Sequence, residues 1–346
     1  VNIQKIIDDL PVANNDYEAK IKRVIFVDEA HRSYKSGGEF YKNLRTIDRE
    51  ANYYALTGTP ILSKKERSNL KFGKYIHKYF FDKSISDGFT LRIKREPVRA
   101  VFHDSIKNNI EISENELTTL DILESNDYVS SVSKYINDDF KNFQTIHSDP
   151  SLGSMIVTKS STQAKKIYDW FCQNSNFKVG LVLFDSENKD KIQEDFRKGD
   201  KYPEDIEYDI LIVYSMLTTG YDVRRLKKMY ILRAPDKHTL LQTISRVNRP
   251  YTNPFNGNKY QFGYIADFAD IEINYDKTLS QYVKELEIDS SSDTDENLDY
   301  TGLVTDYSEI YKEYQKNFNN LSAIIETNNL EEFSIQLARL DKKYIL

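Results

Sequence analysis

Two carboxylates stand at the end of an apolar run near the start of the sequence. The run Val24–Val27 leads directly into Asp28, Glu29, Ala30 and His31. Such a run predicts a buried strand, and ligands bind at the carboxyl ends of strands in open α/β sheets. An aspartate there can hold Mg²⁺ on nucleotide phosphates, and an adjacent glutamate can orient the attacking water. An ordinary strand end with a polar turn is the alternative interpretation.

A second apolar run ends in a short hydroxyl-containing turn. Tyr53–Leu56 is followed by Thr57, Gly58, Thr59 and Pro60. If both runs are strands of one parallel sheet, this turn lies beside the carboxylates, where it could sense the state of a nucleotide. A tight strand-to-loop turn without a further role explains the same residues.

Two further strand-to-turn junctions carry polar groups. Thr158 and Lys159 precede a helix that Ser160 would cap, and such helix starts bind phosphate well. Simple capping explains the serine equally. The other junction follows the run Leu211–Val213. Its polar residues are Thr219, Gly220 and Asp222.

Two arginines occur close together after the last of these turns. Gln242, Arg246 and Arg249 are spaced i, i+4 and i+7, which would place them on one face of a helix. Two arginines stacked in this way form an anion clamp, and a planar guanidinium can stabilise charge on a transferring phosphoryl group. A surface helix with solvated arginines is the alternative.

Short apolar runs that alternate with helical patterns must position these residues. The helical patterns are Thr162–Gln173 and Lys189–Arg197. Alternating strands and helices predict an α/β protein with parallel sheets. The predicted buried strands are Val24–Val27, Tyr53–Leu56, Met155–Val157, Leu181–Phe184, Ile210–Tyr214, Met229–Leu232 and Tyr264–Ala266.

The spacing of these runs divides the chain into four parts. We predict a partial first lobe over residues 1–103, a connecting segment over 104–147, and a second lobe over 148–288. An acidic spacer and a helical carboxyl-terminal module follow over 289–346. Tyr128–Phe143 in the connecting segment and Tyr307–Tyr344 in the last module have helical spacing.

Composition excludes several classes of protein. The formal net charge of −6 argues against a protein that simply coats nucleic acid, although a local basic track is open at Arg92–Arg95, Lys159–Lys166 and Arg224–Lys228. The single cysteine, Cys172, and five scattered histidines exclude a disulfide framework and a structural zinc site. Without a membrane-length apolar stretch or a signal peptide, we expect a cytoplasmic protein with no membrane association.

Taken in order, the motifs resemble motifs II to VI of superfamily 2 helicases and translocases. Within that superfamily the sequence is most similar to the motor (restriction) subunits of type I restriction–modification enzymes. The likeness covers about Arg23 to Asp270 and implies two RecA-like lobes, the first of them incomplete, that face each other across a cleft. The similar stretches are Phe26–Ser33, Leu56–Ile61, Met216–Asp222, Ser245–Arg249 and Phe262–Phe268.

The resemblance implies roles for individual residues. Asp28 would bind Mg²⁺, Glu29 would activate water, and Arg246 and Arg249 would reach ATP from the second lobe. The residues assisting at the nucleotide would be Gly220, Asp222 and Gln242. Those coupling the two lobes would be His31, Thr57, Gly58 and Thr59. Those touching the DNA backbone would be Thr158, Lys159 and Thr219.

The chain departs from the family in two respects. No Gly-x-x-x-x-Gly-Lys-Ser/Thr occurs, since Gly73-Lys74 lacks both the upstream glycine and the following hydroxyl, so we expect this phosphate-binding loop upstream. The family's nuclease domain is also missing. The resemblance implies ATP- and Mg²⁺-dependent translocation on double-stranded DNA, with methyltransferase and specificity subunits as partners. The isolated chain should hydrolyse ATP poorly.

Three other interpretations stay open. A type III restriction motor or a DNA-repair helicase would share these motifs, and the upstream domain would discriminate between them. A non-catalytic interaction module is a different class. Against that class, both carboxylates and both arginines are intact, and decay usually removes such groups first.

Overall fold

The computed structural model describes residues 24–28, 30, 51–58, 73–74, 76–79, 81–98, 119–214, 216, 221–233, 237–254, 256–269 and 304–306. The chain divides into two compact units. The first comprises residues 1–80 with 277–298, and the second comprises residues 81–276 with 299–346.

The described part of the first unit contains a parallel pair of strands, β1 (Val24–Val27) and β2 (Asn52–Ala55). Two main-chain hydrogen bonds continue the pairing past the strand ends. The Leu56 amide donates to the Val27 carbonyl at 2.8 Å, and the Ala30 amide donates to the Leu56 carbonyl at 3.1 Å. Both strands were predicted, but the expectation that they are buried is wrong for most of their residues in this structure, since Val24, Phe26 and Tyr54 are exposed. Their parallel pairing brings the two following turns to one edge.

The second unit is built on a seven-stranded sheet in which every described neighbour pair is parallel. Its strand order is β11-β3-β10-β7-β4-β6-β5, and β8 and β9 form a separate antiparallel pair. The strands are β3 (Arg92–Pro97), β4 (Gly153–Val157), β5 (Val179–Val182), β6 (Ile210–Val213), β7 (Leu226–Ile231), β8 (Tyr251–Thr252), β9 (Lys259–Tyr260), β10 (Phe262–Asp267) and β11 (Val304–Asp306).

The described helices lie in the second unit, and the predicted helical patterns at residues 162–173 and 189–197 are both helices. Ser125 and Ser160 cap two of them by accepting hydrogen bonds from main-chain amides. The helices are α1 (Phe81–Ser86), α2 (Thr119–Leu123), α3 (Asn126–Ile146), α4 (Ser161–Asn174), α5 (Lys189–Lys198) and α6 (Lys237–Ile244), with a 3₁₀ turn at Pro203–Asp205.

The central strands are covered on both faces. Every residue of β4, β6 and β7 is buried, as expected for a parallel sheet between two helical layers. On one face, Ile156 and Tyr230 share a core with α3 and α4 residues such as Ile136 and Phe171. On the other face, a Cβ at Gly153 would lie 2.6 Å from the Phe196 ring, so α5 packs directly on β4. These layers confirm the predicted α/β class.

Three segments of the second unit differ from the predicted division of the chain. β3 falls within residues 1–103, which were predicted to form the first lobe, yet it pairs with β10. α3 falls in the predicted connecting segment 104–147, but its apolar residues recur every three or four positions and enter the core. β11 lies in the predicted helical module and extends the sheet beside β3. The helical pattern predicted over Tyr307–Tyr344 is outside the described residues.

Within the described parts of the chain, no helix is both long and apolar enough to cross a membrane.

Candidate functional site

In the first unit, Asp28 and Thr57 follow β1 and β2 at the same edge of the strand pair. The register joins Val27 to Ala55, and the Leu56 amide bonds the Val27 carbonyl, so Asp28 is level with Leu56 and Thr57 follows one residue later on the neighbouring strand. Asp28 and Gly58 are exposed and Thr57 is half-buried. This edge therefore carries an accessible carboxylate and the start of the hydroxyl-containing turn, while their roles stay a prediction.

In the second unit, the two arginines lie in a turn and not on a helix. α6 ends at Ile244, and the Arg246 and Val247 amides then bond to carbonyls three residues earlier, at 3.1 and 3.3 Å. The prediction that Gln242, Arg246 and Arg249 share one helical face is thus wrong beyond Gln242. Pro250 gives a physical reason for Arg249 alone, because a proline disfavours helical conformation in the residue before it.

The main chain of this turn is held from three strands. We call residues 245–250 the arginine turn. The Leu91 amide, just before β3, donates to the Asn248 carbonyl at 2.5 Å. From β7, the Lys227 ammonium donates to the Arg249 carbonyl at 2.6 Å. On β10, a Cβ at Gly263 would lie 2.3 Å from the Val247 carbonyl oxygen, so the turn is in close contact with the strand backbone.

Both guanidinium groups reach the same short segment, Tyr221–Asp222. Arg246 is only 7% exposed, and it donates to the Tyr221 carbonyl at 2.9 Å and to the Gln242 carbonyl at 3.1 Å. Arg249 forms an ion pair with the Asp222 carboxylate at 2.8 Å. The Nε atom of Arg249 is buried and donates to no group in the described part of the chain. In the structure, Arg249 therefore contacts Asp222 and Arg246 contacts the neighbouring Tyr221. The Arg246 side chain is buried, whereas the Arg249 side chain is partly exposed.

Thr158 and Lys159 follow β4 but differ in accessibility. The Thr158 side chain is fully buried, and its hydroxyl is 3.0 Å from the carbonyl oxygens of both Ser160 and Val213. This placement argues against the predicted contact between its side chain and DNA, since the hydroxyl is used to shape the loop. Lys159 is exposed, and only its main-chain amide is engaged, by the Gln163 side chain at 2.7 Å.

An internal carboxylate occupies the start of α4. The Ser160 hydroxyl donates to the Glu124 carboxylate, and Lys166 donates to the Glu124 carbonyl at 2.6 Å. A negative group is favourable at a helix amino terminus. The phosphate-binding interpretation of Ser160 is therefore replaced by capping together with an acidic contact from the end of α2.

One of the predicted basic groups is not a surface feature. In the run Arg224–Lys228, the side chains of Arg225, Lys227 and Lys228 are fully buried. Arg225 donates to three main-chain carbonyls, and Lys228 pairs with Glu96 and with Asp139, the latter at 3.1 Å. This segment therefore provides no cationic track. The sequence contained a signal for this burial, because these charged residues directly precede and enter an apolar strand run. Charges buried there require partners inside the protein.

Several predicted site residues lie outside the described part of the chain: Glu29, His31, Thr59, Thr219 and Gly220. The predicted cleft, with carboxylates on one wall and arginines on the other, stays a prediction. Among the described residues, no group of three or more histidine, cysteine or acidic side chains could hold a metal ion.

Comparison with known proteins adds independent evidence. Residues 1–124 match the family model SWI2/SNF2 ATPase, and residues 158–270 match the model type I restriction enzyme subunit R domain 3. The type I restriction enzyme MjaIXP endonuclease subunit of Methanocaldococcus jannaschii is 28% identical over 90% of this chain and 30% of its own length. The type I restriction enzyme SauCOLORF180P endonuclease subunit of Staphylococcus aureus is 23% identical over 90% of this chain and 36% of its own length.

A solved structure supports the fold. The fragment structure of an HsdR subunit of a type I restriction enzyme from Vibrio vulnificus has a TM-score of 0.50 and 15% identity, covering 73% of this chain and 45% of that one. The chain spans about a third of the length of the curated relatives, 30% and 36% for the two above. The two family models and these relatives show that the chain is similar to the endonuclease subunits of type I restriction enzymes, and the second unit has an α/β fold.

Proposed function

We propose that this chain is the part of a type I restriction subunit that couples ATP hydrolysis to movement along double-stranded DNA. In this proposal, methyltransferase and specificity subunits choose the DNA sequence, and a nuclease elsewhere in the subunit cleaves it. The curated relatives named above are type I endonuclease subunits, which favours this proposal over a type III motor or a repair helicase.

The observation that carries the proposal is the arginine turn. Its main chain is fixed from three strands, and its two guanidinium groups are joined to Tyr221–Asp222. A positive group that is held in place before the reaction stabilises developing charge without reorganising. The Arg249 side chain is partly exposed, so we assign it to the transferring phosphoryl group, with the buried Arg246 as a support of the same turn.

Asp28 fits the Mg²⁺ that ATP would bring. It is an exposed carboxylate at a strand end, and Mg²⁺ binds through one or two carboxylates together with substrate phosphates. When bound, the ion would neutralise phosphate charge, while Asp28 would hold it at the edge beside Thr57.

We assign Lys159 to the DNA backbone. Its side chain is exposed beyond the end of β4, and the buried Thr158 hydroxyl fixes the loop that carries it. A lysine in this position contributes charge without reading bases, so it should act on all sequences alike.

Two substitutions in the full-length subunit test both assignments. Arg249→Ala should lower kcat for DNA-dependent ATP hydrolysis on the order of a thousandfold and leave DNA affinity nearly unchanged. Lys159→Ala should weaken DNA binding at every sequence and reduce the salt dependence by about one counterion, with ATP hydrolysis at saturating DNA retained. Steady-state ATPase assays and filter binding across a salt series measure these effects.

Lys191→Ala is the matched control, because Lys191 is an exposed lysine within α5 and lies outside the basic runs of the sequence. It should change neither quantity appreciably. An Arg249→Ala subunit that turns over at the normal rate but loses DNA binding would move the arginine turn from the nucleotide to the DNA, and the assignment would be wrong.

A further inference from the structure

Lys227 is a buried cation that the proposed function does not use. It lies on β7, and its side chain is 0% exposed. Its ammonium donates to the Arg249 carbonyl at 2.6 Å and lies 3.5 Å from the Leu226 carbonyl. Within the described residues, no carboxylate is within ion-pair distance of it. A buried ammonium without a paired carboxylate is unfavourable for folding, so its retention calls for another explanation.

The neighbouring residue gives a direct comparison. Lys228 is also buried, but it points to the opposite face of the strand, where it contacts the carboxylates of Glu96 and Asp139. Lys228 thus has the compensation that buried charges normally have. Lys227 has main-chain carbonyls in its place, and the one that it contacts closely belongs to Arg249.

The electrostatic surroundings agree with this difference. The pKa of Lys227 is lowered to about 7, chiefly because the amine is buried; the Asp200 carboxylate opposes this shift, the Arg249 guanidinium adds to it, and the Asp222 carboxylate opposes it. The amine is therefore held in an unfavourable environment by the geometry of the strand. This geometry allows the Lys227 ammonium to donate a hydrogen bond to the carbonyl of Arg249, the residue before Pro250.

We propose that Lys227 is a positioning residue for Arg249: its buried ammonium fixes the carbonyl of Arg249 and so sets where the guanidinium meets Asp222 and the reacting phosphate. This inference rests on the proposed function of Arg249. Arg249 is tied at two points, its carbonyl to β7 and its guanidinium to the segment before β7. Loss of the hydrogen bond to the Arg249 carbonyl does not remove the guanidinium, but it allows the main chain of Arg249 to move. Small displacements of a catalytic group lower reaction rates strongly.

A double-mutant cycle in the full-length subunit tests the proposal through DNA-dependent ATP hydrolysis. Lys227→Met retains the length of the side chain and removes the donor. It should lower kcat by about ten- to a hundredfold with little change in KM for ATP. In an Arg249→Ala background, the same substitution should cause no further loss, because there is no longer a guanidinium to position.

The outcomes separate the two claims. If Arg249→Ala alone leaves kcat unchanged, the phosphoryl-transfer role of Arg249 fails and the positioning role of Lys227 fails with it. If Arg249→Ala is slow but Lys227→Met lowers kcat by the same factor in both backgrounds, only the positioning role is overturned, and Lys227 is merely structural.

A second variant guards against misfolding. Lys227→Gln has a neutral amide that can still donate to the Arg249 carbonyl, and it should retain more activity than Lys227→Met. Thermal unfolding shows whether each variant is folded, and the cycle is repeated with Lys227→Gln if the methionine variant is not. Equal kcat for folded Gln and Met variants would contradict a role that depends on donating a hydrogen bond.

Discussion

At the scale of single residues, the two arginines of the turn have different environments. Arg246 is buried and bonded to two main-chain carbonyls, whereas Arg249 is partly exposed and paired with an exposed aspartate. Exposed ion pairs contribute about 0–1 kcal/mol, while a buried carbonyl that loses its partner costs about 1–3 kcal/mol. The guanidinium of Arg246 therefore stabilises the turn, while that of Arg249 is accessible from outside it.

This difference predicts separate effects on stability. Arg246→Ala should lower the free energy of unfolding by about 1–3 kcal/mol, because the Tyr221 and Gln242 carbonyls lose a donor. Arg249→Ala should change it by less than about 1 kcal/mol. Chemical denaturation of the two variants, each compared with the wild type, measures both values. Equal losses would show that the Asp222 ion pair carries more stability than its exposure suggests.

The sequence predicted which residues come together better than how they do so. The family resemblance assigned Asp222 and the two arginines to one site, and in the structure Arg249 forms an ion pair with Asp222. The helical face was wrong because residue spacing alone does not show where a helix ends, and α6 ends at Ile244, before either arginine. Lys227 was missed because its role depends on a carbonyl that is 22 residues away in the sequence.

At the scale of elements, the arginine turn depends on close contact with β10. Gly263 is the point of contact, since any side chain there would overlap the Val247 carbonyl. The sequence resemblance covered Phe262–Phe268 without giving a reason for the glycine. The structure supplies one, because only a residue without Cβ allows the turn and the strand backbones to approach this closely.

Gly263→Ala should therefore affect both stability and turnover. The added methyl group would lie 2.3 Å from backbone, so the turn must move, at a cost of about 1–3 kcal/mol, and kcat should fall by about tenfold or more. Gly180→Ala is the matched control, because its nearest neighbours are the side chains of Ile192, Leu211 and Tyr208, away from the turn. It should lower the unfolding temperature without lowering kcat. Loss of kcat in both variants would argue against a specific contact.

β3 shows why some elements escape prediction from one sequence. Its residues Arg92 to Pro97 include a single aliphatic side chain, Ile93, so no apolar run is visible. Two of its charged residues have partners that are distant in the sequence: Arg95 pairs with Asp267 and Glu96 with Lys228, which are 172 and 132 residues away. The strongly apolar strands β4 and β6 carry no charged residue and were predicted, whereas of β7 only the apolar part was predicted, within Met229–Leu232, because Lys227 and Lys228 interrupt its start.

At the scale of the whole molecule, the compact units do not follow the order of the sequence. The second unit takes β3 from before α3 and β11 from after residue 299, and both strands lie on the same side of β10. The predicted division placed these segments in different parts of the chain because it was based on the local composition of each segment. The parallel pairing of β3 with β10 is what makes residues 81–98 part of the second unit.

The division predicts how fragments of the chain should behave. A fragment of residues 81–346 should unfold cooperatively, whereas one of residues 104–346, cut at the sequence-based boundary, should unfold at a much lower temperature or aggregate. Removing β3 exposes the edge of β10. It also removes the Arg95 guanidinium, which lies 2.8 Å from the buried Asp267 carboxylate, and breaking such a buried pair costs about 3–5 kcal/mol.

The substitution Arg95→Met in the longer fragment tests the contribution of this ion pair alone, since it removes the guanidinium but retains β3. The unfolding temperature of this variant, measured by circular dichroism, should lie between those of the two fragments. If the 104–346 fragment unfolds at the same temperature as the 81–346 fragment, β3 is dispensable, and the boundary near residue 103 describes the second unit better than the boundary at residue 81.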